Sequence, residues 1–350
     1  MTINFDFAYA GGAAPTAHAL FKQQPDDFQV REVLGFEIED DPKGQHHWLW
    51  IEKSGANTDF VAKQLARFVD VPAREVSYSG IKDRQARTWQ WFSVQLPATR
   101  EVDWSALVDD EFRIVEVKRC GRKLRRGSHQ SNEFVITLRD VSDAEAVNEA
   151  LQQVKTQGAP HYFGEQRFGH QGNNISKALT MFAGKRIKDR NLRSLLISAA
   201  RSYIFNHYLS ERIRQGMLQT PIEGDVMTLR GSHSYFIADE LDDALLQRFS
   251  EGDIDIGGPL WGRGERLSQA SAADFEQQAL IAMSELQDGL EKAGLKQERR
   301  PLRVVPAGLQ WQWSGADCEV RMNLPAGAYA TSVLREVAQL RSAPVSTGDE

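Results

Sequence analysis

The sequence predicts an α+β protein whose strand-rich part is interrupted by a helix-rich stretch and then resumed. Three observations carry this expectation. Short segments with period-two alternation crowd the chain up to Pro160, without the regular strand–helix alternation that builds a parallel sheet. Beyond Pro160 long amphipathic helical patterns take over. Strand signals then return near Leu309, and a pattern that stops and restarts is what an inserted domain produces.

The elements follow in order. Asp27-Phe-Gln-Val-Arg-Glu-Val33 alternates polar and apolar residues, the period of a half-buried strand. His47-Trp-Leu-Trp-Ile-Glu52 is rich in aromatic and branched residues and reads as a second strand. A helix is predicted from Asn57 and Thr58, with Phe60, Val61, Leu65 and Phe68 along one side. It should end before Pro72, because proline disfavours helical geometry in the residue ahead of it. Val76-Ser-Tyr78 is a short strand leading into Gly80-Ile-Lys-Asp-Arg84. Thr88 to Leu96, Phe112 to Val117 and Glu133 to Leu138 read as further strands. Ser142-Asp-Ala-Glu145 has the form of a capping box, in which serine and glutamate satisfy free N–H groups at a helix start. Val147, Ala150, Leu151 and Val154 follow at helical spacing, and Gly158-Ala-Pro160 ends the run.

After Pro160, Arg193 to Arg214 and Ala272 to Ala293 read as long amphipathic helices. Between them lies a glycine-rich, loop-like stretch that includes Gly257-Gly-Pro-Leu-Trp-Gly-Arg-Gly264. Leu309 to Trp313 and Cys318 to Met322 are predicted strands, with a helix after Thr331 and a polar, disordered tail from Ser342 to Glu350.

Composition sets the outer bounds. A chain of 350 residues, 41% apolar and 26% charged, is that of an ordinary globular protein of two or three domains. The N-terminus has no basic segment followed by an apolar one, and no run approaches a membrane span of about 20 apolar residues. Cys120 and Cys318 are the two cysteines, too few for a disulfide framework or a multi-cysteine metal site. A reducing cytoplasm is the expected compartment. The histidines show no HExxH-type spacing and the glycines form neither a phosphate loop nor a dinucleotide fingerprint, so no metal or cofactor is indicated.

The net charge of −6 gives no global reason to expect a nucleic-acid partner, but the cations are unevenly placed. Lys118-Arg-Cys-Gly-Arg-Lys-Leu-Arg-Arg126 holds six cations in nine residues and no acid. Such a run suits phosphate binding, and equally a solvated loop. Gly80-Ile-Lys-Asp-Arg84 follows a short strand and places the Asp83 carboxylate between Lys82 and Arg84. Those cations would favour an ionised nucleophile if their side chains share its side of the loop. A surface turn with a solvated salt bridge would use the same residue types. His161-Tyr-Phe-Gly-Glu-Gln-Arg-Phe-Gly169 joins aromatics to Arg167, groups that stack on unpaired RNA bases or plug a domain junction. Asn132-Glu-Phe134 could read a uracil edge and stack on its face. Phe28 and Tyr329 are further aromatics in segments that contain Lys22 and Arg335.

Taken together and in this order, these segments resemble the D-type tRNA pseudouridine synthases. Gly80-x-Lys-Asp-Arg-x-Ala86-x-Thr88-x-Gln90 is similar to the catalytic motif of that family and aligns Asp83 with its nucleophilic aspartate. Pro160-x-Tyr-Phe-Gly-x-Gln-Arg-Phe-Gly169 is similar to a second signature, at the start of a characteristic inserted domain. Phe28 with Val30 and Glu32, Leu124-Arg-x-Gly127 leading to Asn132-x-Phe134, and Leu324-Pro-Ala-Gly-x-Tyr-Ala-Thr-Ser332 also match, so the likeness runs from about residue 18 to residue 336. His161 stands where the family usually has asparagine, and Tyr329 where some members have phenylalanine.

The resemblance implies a catalytic domain built on a mixed, mostly antiparallel sheet, formed by residues 1–157 and 304–341. It also implies an inserted family-specific α/β domain at 158–303. It further implies conversion of uridine to pseudouridine in tRNA, at the thirteenth nucleotide in the D-stem region, by a monomeric enzyme without metal or other cofactor. Asp83 would be the nucleophile. Phe28, Asn132 and Tyr329 would line the uridine site, with Phe134, Lys22 and Lys82 beside them. Arg122, Lys123, Arg125, Arg126 and Arg167 would hold the RNA. Two other readings use the same residues: a module that grips tRNA without chemistry, and a hydrolase pairing Asp83 with a carboxylate such as Glu32.

Overall fold

The structure, a computed structural model, describes residues 3–232 and 234–342, with only the backbone of Ser342. The tail predicted from Ser342 lies outside the described residues, apart from that backbone. Packing divides the chain into two units. A strand-rich unit comprises residues 16–149, 306–327 and the chain from 338 onward. A helix-rich unit comprises 150–305 together with the chain up to Pro15 and the segment 328–337. The sequence-based division grouped these last two segments with the strands.

The strand-rich unit opens with β1 (His18–Phe21), β2 (Phe28–Leu34), β3 (His46–Ser54), α1 (Thr58–Phe68), β4 (Val76–Tyr78), β5 (Arg87–Gln95), β6 (Phe112–Cys120) and β7 (His129–Leu138). Each predicted strand of this region is present. In α1, Val61, Ala62, Leu65 and Ala66 are buried at helical spacing and meet Leu49, Ile51, Phe92 and Val94 of the sheet. Phe60 is half-buried, and Phe68 in the last turn is 36% exposed, its ring 5.7 Å from that of Trp104. The helix α2 (Ala144–Gln157) starts one residue later than the capping-box reading would have it. Asp143 Oδ1 accepts from the Ala146 N–H at 3.0 Å, while Ser142 Oγ accepts from the His18 N–H. Asp143 is therefore the cap, because Ser142 is engaged by β1.

The helix-rich unit contains the short β8 (Ala159–Pro160), α3 (Asn173–Phe182), α4 (Arg190–Arg214), β9 (Val226–Leu229), β10 (Tyr235–Ile237), α5 (Asp243–Glu251), β11 (Ile254–Leu260), α6 (Ala270–Leu280), α7 (Ser284–Lys292), β12 (Glu298–Pro301), β13 (Arg303–Val304) and α8 (Ala330–Leu334). Its main sheet runs β10-β9-β11-β12, antiparallel throughout. Asp189 caps α4 through its side chain. Two sequence readings are corrected here. The stretch around Gly257 and Gly258 is a buried strand, β11, and not a loop. A Cβ at Gly257 would lie 2.8 Å from Thr228 Cγ2, and one at Gly258 2.6 Å from Leu302 Cδ2, so the glycines admit close neighbours on a strand. The helix expected over 272–293 is broken at Ile281–Met283 by a tight turn. Leu280, Met283 and Leu286 are all buried, and this three-residue step fits the tighter pitch.

The chain then returns to the strand-rich unit as β14 (Ala307–Ser314), β15 (Asp317–Pro325) and β16 (Gln339–Ser342). Its large sheet runs β14-β15-β7-β2-β5-β3-β6, with β4 on β5, while β1 pairs with β16. Within the large sheet β2 and β5 are parallel and the other pairs antiparallel, the mixed, mostly antiparallel sheet that was expected. The β2–β7 register sets Phe28, Val30 and Glu32 opposite Ile136, Phe134 and Asn132, so these residues share one face. The opposite face carries the core of Trp48, Trp91, Cys120 and Leu124. No helix among the described residues is long and apolar enough to cross a membrane.

Leu65 is fully buried where α1 meets the sheet. Leu65→Ala should lower unfolding stability by about 2–5 kcal/mol, the cost of a core truncation that leaves a cavity. Chemical denaturation would measure it, and a loss under about 1 kcal/mol would mean that α1 is only loosely docked.

Candidate active site

The loop Gly80–Arg84 leaves β4 and enters β5, and its backbone is held by side chains from three elements. Gln90 Nε2 donates to the Gly80 carbonyl at 2.9 Å, and the Lys82 N–H donates to Thr58 Oγ1 at 3.0 Å. Thr58 in turn donates to Gln90 Oε1, closing a small network. From beneath, Lys53 Nζ donates to the carbonyls of Ala56 at 3.0 Å and Asp83 at 2.8 Å. Lys53 is 1% exposed, and burial pulls its ammonium down to about 8.

Asp83 is half-buried in this loop, and the cation beside it comes from elsewhere in the chain. Lys22 Nζ lies 2.5 Å from Asp83 Oδ2 and 4.0 Å from the centroid of the Phe28 ring. Lys22 has φ 55, the left-handed region that residues with a Cβ seldom occupy. The two sequence neighbours do not act as the flanking cations that the motif suggests. Arg84 Nε donates to the Gly55 carbonyl at 2.8 Å. Lys82 is buried, with its ammonium 3.4 Å from Glu32 Oε2 and hydrogen-bonded to Asn132 Oδ1. Lys82 is thus turned toward Glu32 and Asn132 and not toward the carboxylate of its neighbour.

Phe28 and Phe134 are 5% and 7% exposed, with ring centroids 5.9 Å apart. Six of the predicted residues thus gather on one sheet face and its adjoining loop: Lys22, Phe28, Lys82, Asp83, Asn132 and Phe134. Glu32 and Lys82 form a buried pair under them. Burial pushes the Glu32 carboxyl up and the Lys82 ammonium down, and each partner's charge opposes the other's shift. Beside them Ser79 Oγ lies 2.5 Å from His129 Nδ1, and burial together with the Lys82 charge lowers His129 to about 4.

The basic run divides. Lys118 and Arg119 belong to β6 and pair with Glu116 and Glu101, at 3.1 and 2.8 Å. Arg122, Lys123, Arg125 and Arg126 are exposed on the loop between β6 and β7. That loop is tied to the Asp83 loop, since the Gly127 N–H donates to the Ser79 carbonyl at 2.8 Å. Arg122 covers the Phe36 ring at 4.1 Å, and Arg126 donates to the Tyr78 hydroxyl, which donates to Asp59.

Tyr329 and Arg167 lie in the helix-rich unit and contact each other there. Arg167 Nη2 donates to the Tyr329 hydroxyl at 2.6 Å, and the Tyr329 ring meets Phe163 edge to face at 6.2 Å. Gly164 admits that ring, because a Cβ there would lie 2.8 Å from Tyr329 Cδ1. Arg300 packs over Phe163 at 4.1 Å. His161, the departure in the second signature, is buried with Nδ1 3.1 Å from the Pro301 carbonyl, and burial holds its imidazole well below the ordinary range.

The family model for tRNA pseudouridine synthase D (TruD) matches residues 8–187 and 173–337 of this chain. The chain belongs to the tRNA pseudouridine synthase D family. The tRNA pseudouridine synthase D of Aeromonas hydrophila is 46% identical over 338 residues, covering 96% of this chain and 95% of that protein. That of Pseudoalteromonas atlantica is 43% identical over 339 residues, covering 95% and 96%. A crystal structure of a Methanosarcina mazei protein given the same TruD name matches with a TM-score of 0.69 over 96% of both chains. At 20% identity this last likeness shows a shared fold.

Within this TruD chain, sequence reasoning overlooked Lys53, Thr58, Ser79 and His129. Thr58 had a role only as a helix start, and nothing marks Lys53 at the end of a strand as buried. Gln90 was visible only as part of the motif. The low value at His129 gives a test. Its ordinary value is near 6.5, so from there down to about 4 the unfolded chain takes up a proton that the folded chain refuses. His129 therefore makes folding stability fall as pH falls through this window, and His129→Asn should make the decline shallower. Denaturation midpoints measured across the window would show parallel curves for the two proteins if the imidazole were not held neutral.

Proposed function

We propose that this chain isomerises uridine to pseudouridine in tRNA, at the thirteenth nucleotide in the D-stem region, with Asp83 as the nucleophile. Family membership over nearly the whole chain supports the reaction class. The ion pair of Asp83 with Lys22, in a loop braced by Gln90, Thr58 and Lys53, is the single observation that supports the residue.

The reaction breaks the N-glycosidic bond, turns the uracil in the site and joins its C5 to the ribose C1′, after which C5 loses its proton and the freed N1 carries one. Atoms and electrons balance without a donor or oxidant, so a chain that supplies only a carboxylate, a cation and a base-holding surface has what the isomerisation needs. Asp83 acts by attack on C1′ or C6, or by taking the 2′ proton. Lys22 fixes the position of the carboxylate and balances its charge through the change. A base stacked in folded tRNA must first be flipped out, at about a few kcal/mol. Binding of phosphates by Arg122, Lys123, Arg125 and Arg126 offsets that cost. In this reading Phe28 and Phe134 hold the base, Arg167 contacts RNA, the segment 158–303 is the family-specific insertion, and the enzyme works as a cytoplasmic monomer.

Asp83→Asn should cut pseudouridine formation on a tRNA transcript by at least about a thousandfold while tRNA binding stays within a few-fold. An enzyme that keeps its rate would remove Asp83 from the chemistry, and release of free uracil would mean hydrolysis instead. Changing Arg122, Lys123, Arg125 and Arg126 together to alanine should weaken binding and lower the slope of log affinity against log salt by about one for each phosphate that is no longer neutralised. An unaltered slope would place the RNA elsewhere.

A further inference from the structure

The Lys82 ammonium has three donors and no acceptor, and this constrains the amide that it meets. It is hydrogen-bonded to Asn132 Oδ1, so the amide oxygen points toward Lys82 and the amide nitrogen points away. Lys82 is itself fixed, 7% exposed, by Glu32 Oε2 at 3.4 Å, while the Trp91 N–H donates to the other Glu32 oxygen. The β2–β7 register places Glu32 and Asn132 directly opposite each other, so carboxylate, ammonium and amide form a chain anchored in two paired strands. Asn132 Nδ2 has no acceptor among the described residues, and it is not one of the fully enclosed unpaired polar atoms.

We propose that the Glu32–Lys82 pair locks the Asn132 amide in one orientation, so that the site offers a hydrogen-bond donor to the O4 edge of the target base and thereby selects uracil over cytosine. The inference rests on the function proposed above and goes one step further, to the specificity of that site. A free asparagine is ambivalent: turned about its last torsion, it presents either a carbonyl or an amino group. Against an ammonium the flipped amide would set N–H groups against N–H groups, an arrangement with no hydrogen bond and like partial charges. With the amide locked, Nδ2 meets a carbonyl at position 4 of uracil but would meet an amino group at position 4 of cytosine. Discrimination then comes from an unmatched donor pair in a half-closed site, which costs more than a matched pair gains. Lys82 and Glu32 act through Asn132 and are positioning residues. The desolvation that destabilises the charged form of either one is countered by the other, which is why the acid is needed with the base.

The test uses full-length protein in the Asp83→Asn background, so that equilibrium binding is read without turnover. The probes are two tRNA transcripts that differ only in uridine or cytidine at the target position. The parent should prefer the uridine transcript by about tenfold or more, the equivalent of one hydrogen bond. Lys82→Met frees the amide to turn, and the preference should fall to within about twofold of none. Asn132→Asp keeps the buried ion pair and turns an acceptor outward, so the preference should reverse toward cytidine. This second variant decides the matter even if Lys82→Met fails to fold. A parent without preference, a Lys82→Met protein that keeps it, or an Asn132→Asp protein that still favours uridine as strongly as the parent would each overturn the amide lock. Failure of the wild-type protein to form pseudouridine at all would instead overturn the function on which the inference rests, and the unmutated enzyme assayed alongside separates the two.

Discussion

A buried ammonium beneath a loop is the constraint on which the site depends. Lys53 places three N–H donors under the backbone of residues that surround Asp83 and reaches the carbonyls of Ala56 and Asp83. An ammonium removed from water is costly unless its donors are used, so the carbonyls must stay turned toward it. That demand fixes the loop more firmly than a neutral donor would. The carboxylate at the top of the loop inherits a defined position, and Lys22, reaching in from the end of β1, meets it there. The left-handed backbone at Lys22 is consistent with a residue held where its partner is and not where its own backbone would relax.

Two lysines from separate strands and loops, Lys53 and Lys82, therefore serve the same loop from different directions. One holds backbone carbonyls, and the other is turned into the sheet toward Glu32 and Asn132. Placing a third cation, Lys22, on the carboxylate itself divides the electrostatic work. Charge beside Asp83 can be exchanged with a substrate or solvent, since Lys22 and Asp83 retain some exposure, whereas the Lys82–Glu32 pair is nearly closed to water. Pairs of the second kind contribute little net stability, but they are expensive to break from one side, which suits them to fixing geometry.

Much of this was legible in the sequence where burial has a period. Alternation in Asp27–Val33 and Glu133–Leu138 marked the strands that carry Phe28, Glu32 and Phe134, with Asn132 one residue outside the predicted strand, and the motif around Asp83 marked the loop between β4 and β5. What failed to show was the direction of individual side chains. Lys82 and Arg84 flank Asp83 in the chain, but Lys82 is committed to Glu32 and Asn132 and Arg84 to the Gly55 carbonyl, so the cation paired with Asp83 is Lys22, remote in sequence. Gly257 and Gly258 read as a turn because glycine is permissive, and only the crowding of Thr228, Phe205 and Leu302 against them reveals a strand that needs no side chain there. The break at Ile281–Met283 is hidden for a related reason: a shift from a four-residue to a three-residue step leaves an apolar pattern looking continuous.

The helix-rich unit illustrates how a signature motif can be structural and still belong to function. Most of the segment from His161 to Gly169 is used internally: His161 against the Pro301 carbonyl, Tyr162 and Phe168 in the core, Gly164 as the gap for the Tyr329 ring. Tyr329 is held in turn by Arg167, whose two nitrogens converge on one hydroxyl. A phenylalanine at this position would lack that hydroxyl and leave those guanidinium donors to water or to a phosphate. The hydroxyl thus exchanges some availability of Arg167 for a fixed ring. Any RNA contact by Arg167 must compete with a bond already made, and the tyrosine tunes that cation through occupancy and not through charge.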